Sequence, residues 1–247
     1  MKAAAEAQRR LLDLQASDTA IAQLDHRRNT LPETARARAL QADRARAAEG
    51  VIAAETIVSD LEGEQAKAES DLEPVRQRLA RNEQRVADGS VTDPKALQGL
   101  LEEIGHLKRR IGELEDTQLD AMERLETARE AAERAVEAKS TLEDGLRQVL
   151  SVRQDKLAEL ASERGRHDAE RDAIAAAVPA DLLALYTRIA EKSGGVGAAL
   201  LQHGRCGGCQ LEANAADLNR YRAAAEDEVL RCEECNRILV RTSESGL

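Results

Sequence analysis

The residues whose chemistry is most sharply defined are four cysteines. They form two C-x2-C pairs, Cys206-Gly207-Gly208-Cys209 and Cys232-Glu233-Glu234-Cys235, with twenty-two residues between them. Four thiolates at this spacing suit one tetrahedral Zn²⁺, each pair wrapping one side of the ion in a knuckle turn. The interval exceeds the commonest range, so it predicts a small insert, and residues 214–222 with Leu218 and Tyr221 read as a short helix. Val229-Leu230 and Ile238-Leu239-Val240 read as short strands, which together make a zinc ribbon. A module this small, in a chain without Phe or Trp, cannot be held by its core alone, so its folding is expected to depend on the metal. Four protein ligands leave no open position, which makes the ion structural rather than catalytic. Redox-active dithiols, or iron at the same sulfurs, are the competing readings; two matched pairs without a βαβ setting oppose the first.

Other constellations are weaker. Glu103-x-x-His106 has the spacing of a carboxylate-bridged di-iron helix, but it occurs once where such sites need three further contributing helices. No P-loop, HExxH or dinucleotide fingerprint is present, and His26, His167 and His203 have no nucleophile or carboxylate arranged around them. The expectation is a protein without enzymatic activity. Two basic stretches stand out: Arg27, Arg28, Arg36, Arg38, Arg44 and Arg46, and a second group with Arg76, Arg78, Arg81 and Arg85 facing Lys95, Lys108, Arg109 and Arg110. Either could contact phosphate or a partner. The opposing interpretation is a solvated flank whose cations pair with carboxylates of the facing helix. Neither stretch interleaves aromatics that would stack single-stranded bases. The net charge of −10 argues against indiscriminate binding to nucleic acid or anionic membrane.

The elements that position these residues follow from heptad patterning. Ala, Leu, Glu and Arg dominate and only two Tyr supply aromatic bulk, the composition of long helices. Val51, Val58, Leu72, Leu79 and Val86 repeat at multiples of seven, with Ala54, Leu61, Ala68 and Val75 between them. Gln65 and Asn82 are polar exceptions of the kind that set register. A second series runs from Leu97 through Leu107, Leu114, Leu125 and Leu142 to Val149, then slips phase through Leu150, Leu157, Leu160, Ile174 and Val178. Between the series, Gly89 suits a left-handed helix end, and Asp93-Pro94 an N-cap with its first helical residue. Two long helices joined there run antiparallel, giving a hairpin with its apex near residues 88–94 and about 80 Å of regular helix from residue 33 to 88. An earlier helix, carrying Leu11, Leu14, Ile21 and Leu24, meets Thr30-Leu31-Pro32-Glu33, read as a capping box with a kink or a true break. Pro74 is expected to bend its helix. Pro179 opens a short helix from Asp181 to about Lys192, and Val196–Leu201 is β-compatible. The domains are therefore residues 1–178, the hairpin, and 179–247, the short helix with the ribbon. The fold class is mainly α: a long antiparallel coiled-coil helical hairpin with a small C-terminal β zinc ribbon.

These residues also carry a resemblance. Val178-Pro179-x-Asp181-Leu182-Leu183-x-x-Tyr186-x-x-Ile189, Gly194-Gly195, Cys206-x-Gly208-Cys209 and Cys232-x-x-Cys235-x-Arg237-Ile238-Leu239 resemble the bacterial coiled-coil hairpins that end in a C4-type zinc ribbon. Asp93-Pro94-Lys95-x-Leu97 looks like that family's hairpin tip. The family includes a flagellar chaperone and RNA-binding member. The resemblance implies a zinc ribbon packed at the base of a protruding hairpin, no enzymatic activity, and binding of partner proteins and sometimes nucleic acid. One departure is visible: the second knuckle reads Cys232-Glu233-Glu234-Cys235-Asn236, where the family more often has Cys-Pro-x-Cys-Gly. Asn can still adopt the left-handed conformation, but two glutamates make that face acidic.

The sequence therefore predicts a cytoplasmic, non-catalytic adaptor, with no apolar run long enough for a membrane span and no signal-peptide core. It would present its coiled coil, apex foremost, to a partner protein and carry one structural Zn²⁺ on Cys206, Cys209, Cys232 and Cys235. Arg76, Arg81, Arg85, Lys95, Lys108 and Arg109 are the candidate partner or phosphate contacts. The alternative is a nucleic-acid-binding protein using the ribbon and the arginine-rich flanks.

Overall fold

The computed structural model describes residues 1–247. The protein is mainly helical: α1 (Ala5–Asn29), α2 (Pro32–Ala87), α3 (Pro94–Ala176), α4 (Ala180–Lys192) and α5 (Ala215–Ala223). Four short strands complete it, β1 (Ala198–Gln202), β2 (Arg205–Cys206), β3 (Leu230–Arg231) and β4 (Ile238–Val240). The chain divides into two compact units. One holds Met1–Thr34 with Ser151–Leu247, the ribbon unit; the other is Ala35–Leu150, the hairpin unit.

In the hairpin unit the heptad is realised residue by residue. From Val51 onward, every α2 side chain withdrawn from solvent falls on the three-four series, through Leu61, Ala68 and Leu72 to Asn82 and Val86. The facing seam of α3 runs from Leu97 and Leu100 through Leu114, Ala121 and Leu125 to Val149. The apex forms as the turn residues dictate. Gly89 takes φ +67°, and the Asp93 carboxylate accepts the Ala96 N–H at 2.8 Å, an N-cap bond. Pro74 does not interrupt α2, which continues through it. Its missing N–H leaves the Ser70 carbonyl without the usual intrahelical donor.

Two local expectations are corrected. Thr30 is not an N-cap: its hydroxyl donates to the His26 carbonyl at 2.8 Å and closes α1, and a true break precedes Pro32. Glu33, instead of reaching back to cap, pairs with Lys156 of α3. Leu150 is exposed, and the shifted seam passes instead through Arg153, whose Nε donates to the Thr34 hydroxyl at 3.0 Å. The phase slip of α3 therefore coincides with the α1–α2 break opposite it, the place where its antiparallel partner changes.

In the ribbon unit α1 pairs with the end of α3 through Arg171–Asp18 at 2.6 Å and Arg164–Asp25 at 3.2 Å. The sheet order is β2-β1-β4-β3, with β1 and β4 parallel and the other pairs antiparallel. His203 and Gly204, both at positive φ, make the two-residue turn from β1 to β2. Side-chain alternation splits the sheet between two cores. Ala198, Ile238 and Val240 pack with Leu11, Leu14, Leu182 and Tyr186 of the helices. Ala199, Leu201 and Leu239 pack with Cys206, Cys232 and Tyr221 on the other side.

Candidate metal centre

Each cysteine pair sits on its own knuckle, and the two knuckles match. After the first pair, Gln210 N–H donates to the Cys206 carbonyl at 2.8 Å; after the second, Asn236 N–H donates to the Cys232 carbonyl at 2.8 Å. Gln210 and Asn236 both stand at φ +63°, the left-handed turn that brings the second sulfur back toward the first. Asn236 behaves as the sequence predicted. Gln210 had no such signal, since glutamine is not enriched at positive φ. Within the first knuckle, a Cβ on Gly208 would lie 2.5 Å from Cδ of Arg237 and 3.2 Å from Cβ of Ala199, so a larger residue there would displace the Arg237 side chain.

The insert between the pairs is α5, capped by Asn214, whose side chain accepts the Asp217 N–H at 2.9 Å. It sets Tyr221 over the cysteine side of the sheet, with its hydroxyl donating to the Arg231 carbonyl at 3.1 Å. Two arginines fix the surrounding backbone. Arg237 donates to the carbonyls of Val196 and Ser193, tying the α4–β1 turn to β4. Arg241 donates to the carbonyls of Ala224, Ala225, Glu226 and Glu228, gathering the α5–β3 loop around one guanidinium.

All four sulfurs lie within 4.8 Å of one another, and the pairs Cys206–Cys235 and Cys209–Cys232 are both 3.8 Å apart. A tetrahedron with Zn–S bonds of about 2.3 Å has edges of about 3.8 Å, so the donor set fits one zinc ion. The thiol environments are unequal. Burial pushes the Cys206 thiol up and carries Cys232 up to about 12. Burial acts upward on Cys235 as well, but hydrogen bonds from the Arg237 backbone and side chain bring it down to about 7. Cys235 thus ionises before Cys206 and Cys232, and binding zinc displaces the protons they still hold.

Two family models match this chain: the CT398-like coiled coil hairpin domain over residues 14–194 and the C4-type zinc ribbon domain over residues 205–239. The chain belongs to the CT398-like coiled-coil hairpin family. An uncharacterized protein of Mycobacterium tuberculosis is 36% identical over 98% of both chains. One of Mycobacterium leprae is 30% identical over 90% of this chain and 94% of its own. A solved structure from Mycobacterium smegmatis matches with a TM-score of 0.81 at 34% identity, covering 98% of this chain and all of that one. The CT398 structure from Chlamydia trachomatis, at 17% identity and a TM-score of 0.63 over 95% of this chain and 97% of its own, shares the fold. Neither family model names a catalytic domain, and the four cysteines are those of a structural C4 zinc ribbon. No helix is long and apolar enough to cross a membrane.

The predicted contact cations lie along α2 and α3, and the structure separates them into two groups. Arg76 pairs with Glu115 at 2.6 Å, Arg78 with Glu103 at 2.5 Å and Lys108 with Glu83 at 2.8 Å. Arg109 lies 2.9 Å from Nδ1 of His106. Arg81, Arg85 and Lys95 have no carboxylate within ion-pair distance. Of the earlier basic stretch, Arg27 pairs with Glu163 and Arg46 with Asp43.

Sequence reasoning missed one polar cluster in the ribbon unit. The Tyr186 hydroxyl donates to Asp18 at 2.6 Å, and Asp18 also accepts from Arg171. Gln15 accepts the Gly197 N–H at 2.7 Å and donates to the Gly195 carbonyl at 3.0 Å. Burial, then the bond to Asp18, pushes the Tyr186 hydroxyl far above its ordinary range, so it stays a donor. A Cβ on Gly197 would lie 2.6 Å from the Tyr186 carbonyl oxygen, which leaves room for glycine alone. The signal available was Tyr186 itself, one of only two aromatic residues in the chain.

Proposed function

We propose that this protein is a non-catalytic adaptor that holds a partner protein along its coiled-coil hairpin, while the zinc ribbon serves as a folding module. The observation that carries this reading is the pairing of cations along the arms with carboxylates of the facing helix. Arg76, Arg78 and Lys108, which a phosphate backbone would need, are engaged by carboxylates of the facing helix. The closed four-cysteine site offers no open coordination position to a substrate. A second reading, nucleic-acid binding, draws on Arg81, Arg85 and Lys95, which have no such partner.

The test is affinity capture, with and without nuclease. It compares the intact chain with a form lacking residues 52–86 and 105–139, which removes five facing heptads from each helix and keeps the apex in phase. A nuclease-resistant protein captured by the intact chain and lost on shortening supports the adaptor. Recovery dominated by RNA or DNA refutes it and promotes the second reading.

A further inference from the structure

The hairpin unit has two unlike flanks, and the ion pairs define them. Glu62–Arg129, Arg76–Glu115 and Glu83–Lys108 belong to one register, each pair a whole number of heptads from the next. Continuing that register places Glu69 opposite Met122 and Glu55 opposite Val136 on the same flank. At these two rungs the ladder changes character, because an apolar side chain replaces the cation. Met122 is 46% exposed and Val136 48%. Leu119, one turn from Met122, is 59% exposed, and Ile52, one turn from Glu55, is 63% exposed. Leu150 continues the row, so Met122, Val136 and Leu150 recur every fourteen residues, about 21 Å apart. An open hollow of ≈ 510 Å³ surrounds the first of them, lined by Leu119, Met122, Glu126 and Arg129 among others.

The charges along this flank select the occupant. Glu55, Glu69, Glu126 and Glu133 lie beside the apolar residues at heptad-adjacent positions, and none has a Lys or Arg within ion-pair distance. A second copy of this chain docked here would set like charges against like. Nucleic acid and an anionic membrane are repelled for the same reason. A helix with apolar residues on one face and Lys or Arg beside them meets both features, since its apolar face covers the exposed row and its cations meet the four free carboxylates.

We propose that this flank of the hairpin unit, centred on Met122 and Val136, is the docking surface for a basic amphipathic helix of a partner protein. The proposal rests on the adaptor reading and gives the partner its chemistry. It places the contact on the middle of the hairpin rather than on the apex cations.

The test uses the full-length zinc-loaded chain and a fluorescent twenty-one-residue heptad peptide with Leu at its seam and Lys elsewhere. Binding is followed by anisotropy at several salt concentrations. The controls are the same peptide with Glu in place of Lys and a single-stranded RNA of equal length. Met122 and Val136 are exposed, so the M122S/V136S variant keeps the seam intact, and its melting curve verifies this. The expected result is binding of the Lys peptide, weakened at least tenfold by M122S/V136S, weakened again by E55Q/E69Q/E126Q/E133Q, and steeply reduced by salt. Unchanged affinity in M122S/V136S overturns the proposal, as does tighter binding of the Glu peptide or the RNA. A dimer of the intact chain in light scattering that M122S/V136S dissociates also overturns it, because the occupant is then a second copy. If the peptide arm fails while the shortened hairpin still loses its captured protein, only this surface is wrong and the adaptor reading stands.

Discussion

Removing zinc should unfold one side of one unit and leave most of the helix untouched. The sheet separates two cores, and the cysteine-side core consists of Ala199, Leu201, Cys206, Tyr221, Leu230, Cys232 and Leu239. Its only aromatic side chain is Tyr221, and fully burying each of its three leucines contributes about 1.5–3 kcal/mol. Structural zinc in comparable peptides contributes about 10–16 kcal/mol, which makes the ion the deciding term. The helix-side core, with Leu11, Leu14, Leu182 and Tyr186, does not depend on the sulfurs. Of the helices only α5 belongs to the zinc module, nine residues against 56 in α2 and 83 in α3. Chelation is therefore expected to lower the 222 nm ellipticity by less than a tenth. Amide protection should disappear from β2, β3 and α5 while persisting in α2 and α3. Hydrogen exchange with and without chelator reads both. Protection of β2 and β3 that survives quantitative zinc removal would refute the reasoning, and so would a collapse of the whole helical signal.

Further outcomes follow from single contacts. Asn82 lies in the seam with its Nδ2 buried and unpartnered, so Asn82→Leu should stabilise the hairpin unit by about 1–3 kcal/mol in denaturant titration. Gln15→Ala strands the Gly197 amide and the Gly195 carbonyl, and should cost the ribbon unit about 1–3 kcal/mol, with Gln15→Glu failing to restore the carbonyl contact. Arg241→Ala leaves four loop carbonyls without their shared donor and should raise exchange across residues 224–229. Arg241→Lys recovers only part of this, lacking the planar fork. Because Cys206 and Cys232 hold their protons more tightly than ordinary thiols, zinc affinity should fall steeply as pH is lowered, which competition with a metal indicator measures.

Much of this was legible in the sequence, for identifiable reasons. The seam from Val51 to Val86 could be read because each turn of a long helix repeats the same local rule, and Gly89 and Asp93-Pro94 mark the apex by their own backbone preferences. The four zinc ligands could be read because a tetrahedral ion imposes their spacing. What escaped was tertiary. Leu150 and Arg153 exchange places relative to the simple pattern because α3 changes partner opposite the break at Asn29–Pro32; the slip could be read from Leu157 onward, but not the residue at which it begins. Thr30 satisfied a capping-box pattern, yet its hydroxyl closed the preceding helix. The polar cluster of Gln15, Asp18, Arg171 and Tyr186 joins residues more than 150 positions apart, beyond the reach of any periodicity.

The discontinuous ribbon unit has a consequence for how the chain is made. Its first segment, Met1–Thr34, leaves the ribosome long before its second, Ser151–Leu247. The hairpin unit can close around its apex as soon as α3 emerges, since its contacts begin between near neighbours at residues 86–97. Helix α1 has no such neighbour, and Leu11 and Leu14 must wait for Leu182 and Tyr186. Met1–Ala3 wait longer still, because they bond to residues 227–229 beside β3. Until then α1 is a nascent amphipathic segment with its apolar side uncovered, and it is the part of the newborn chain most open to chaperones and proteases.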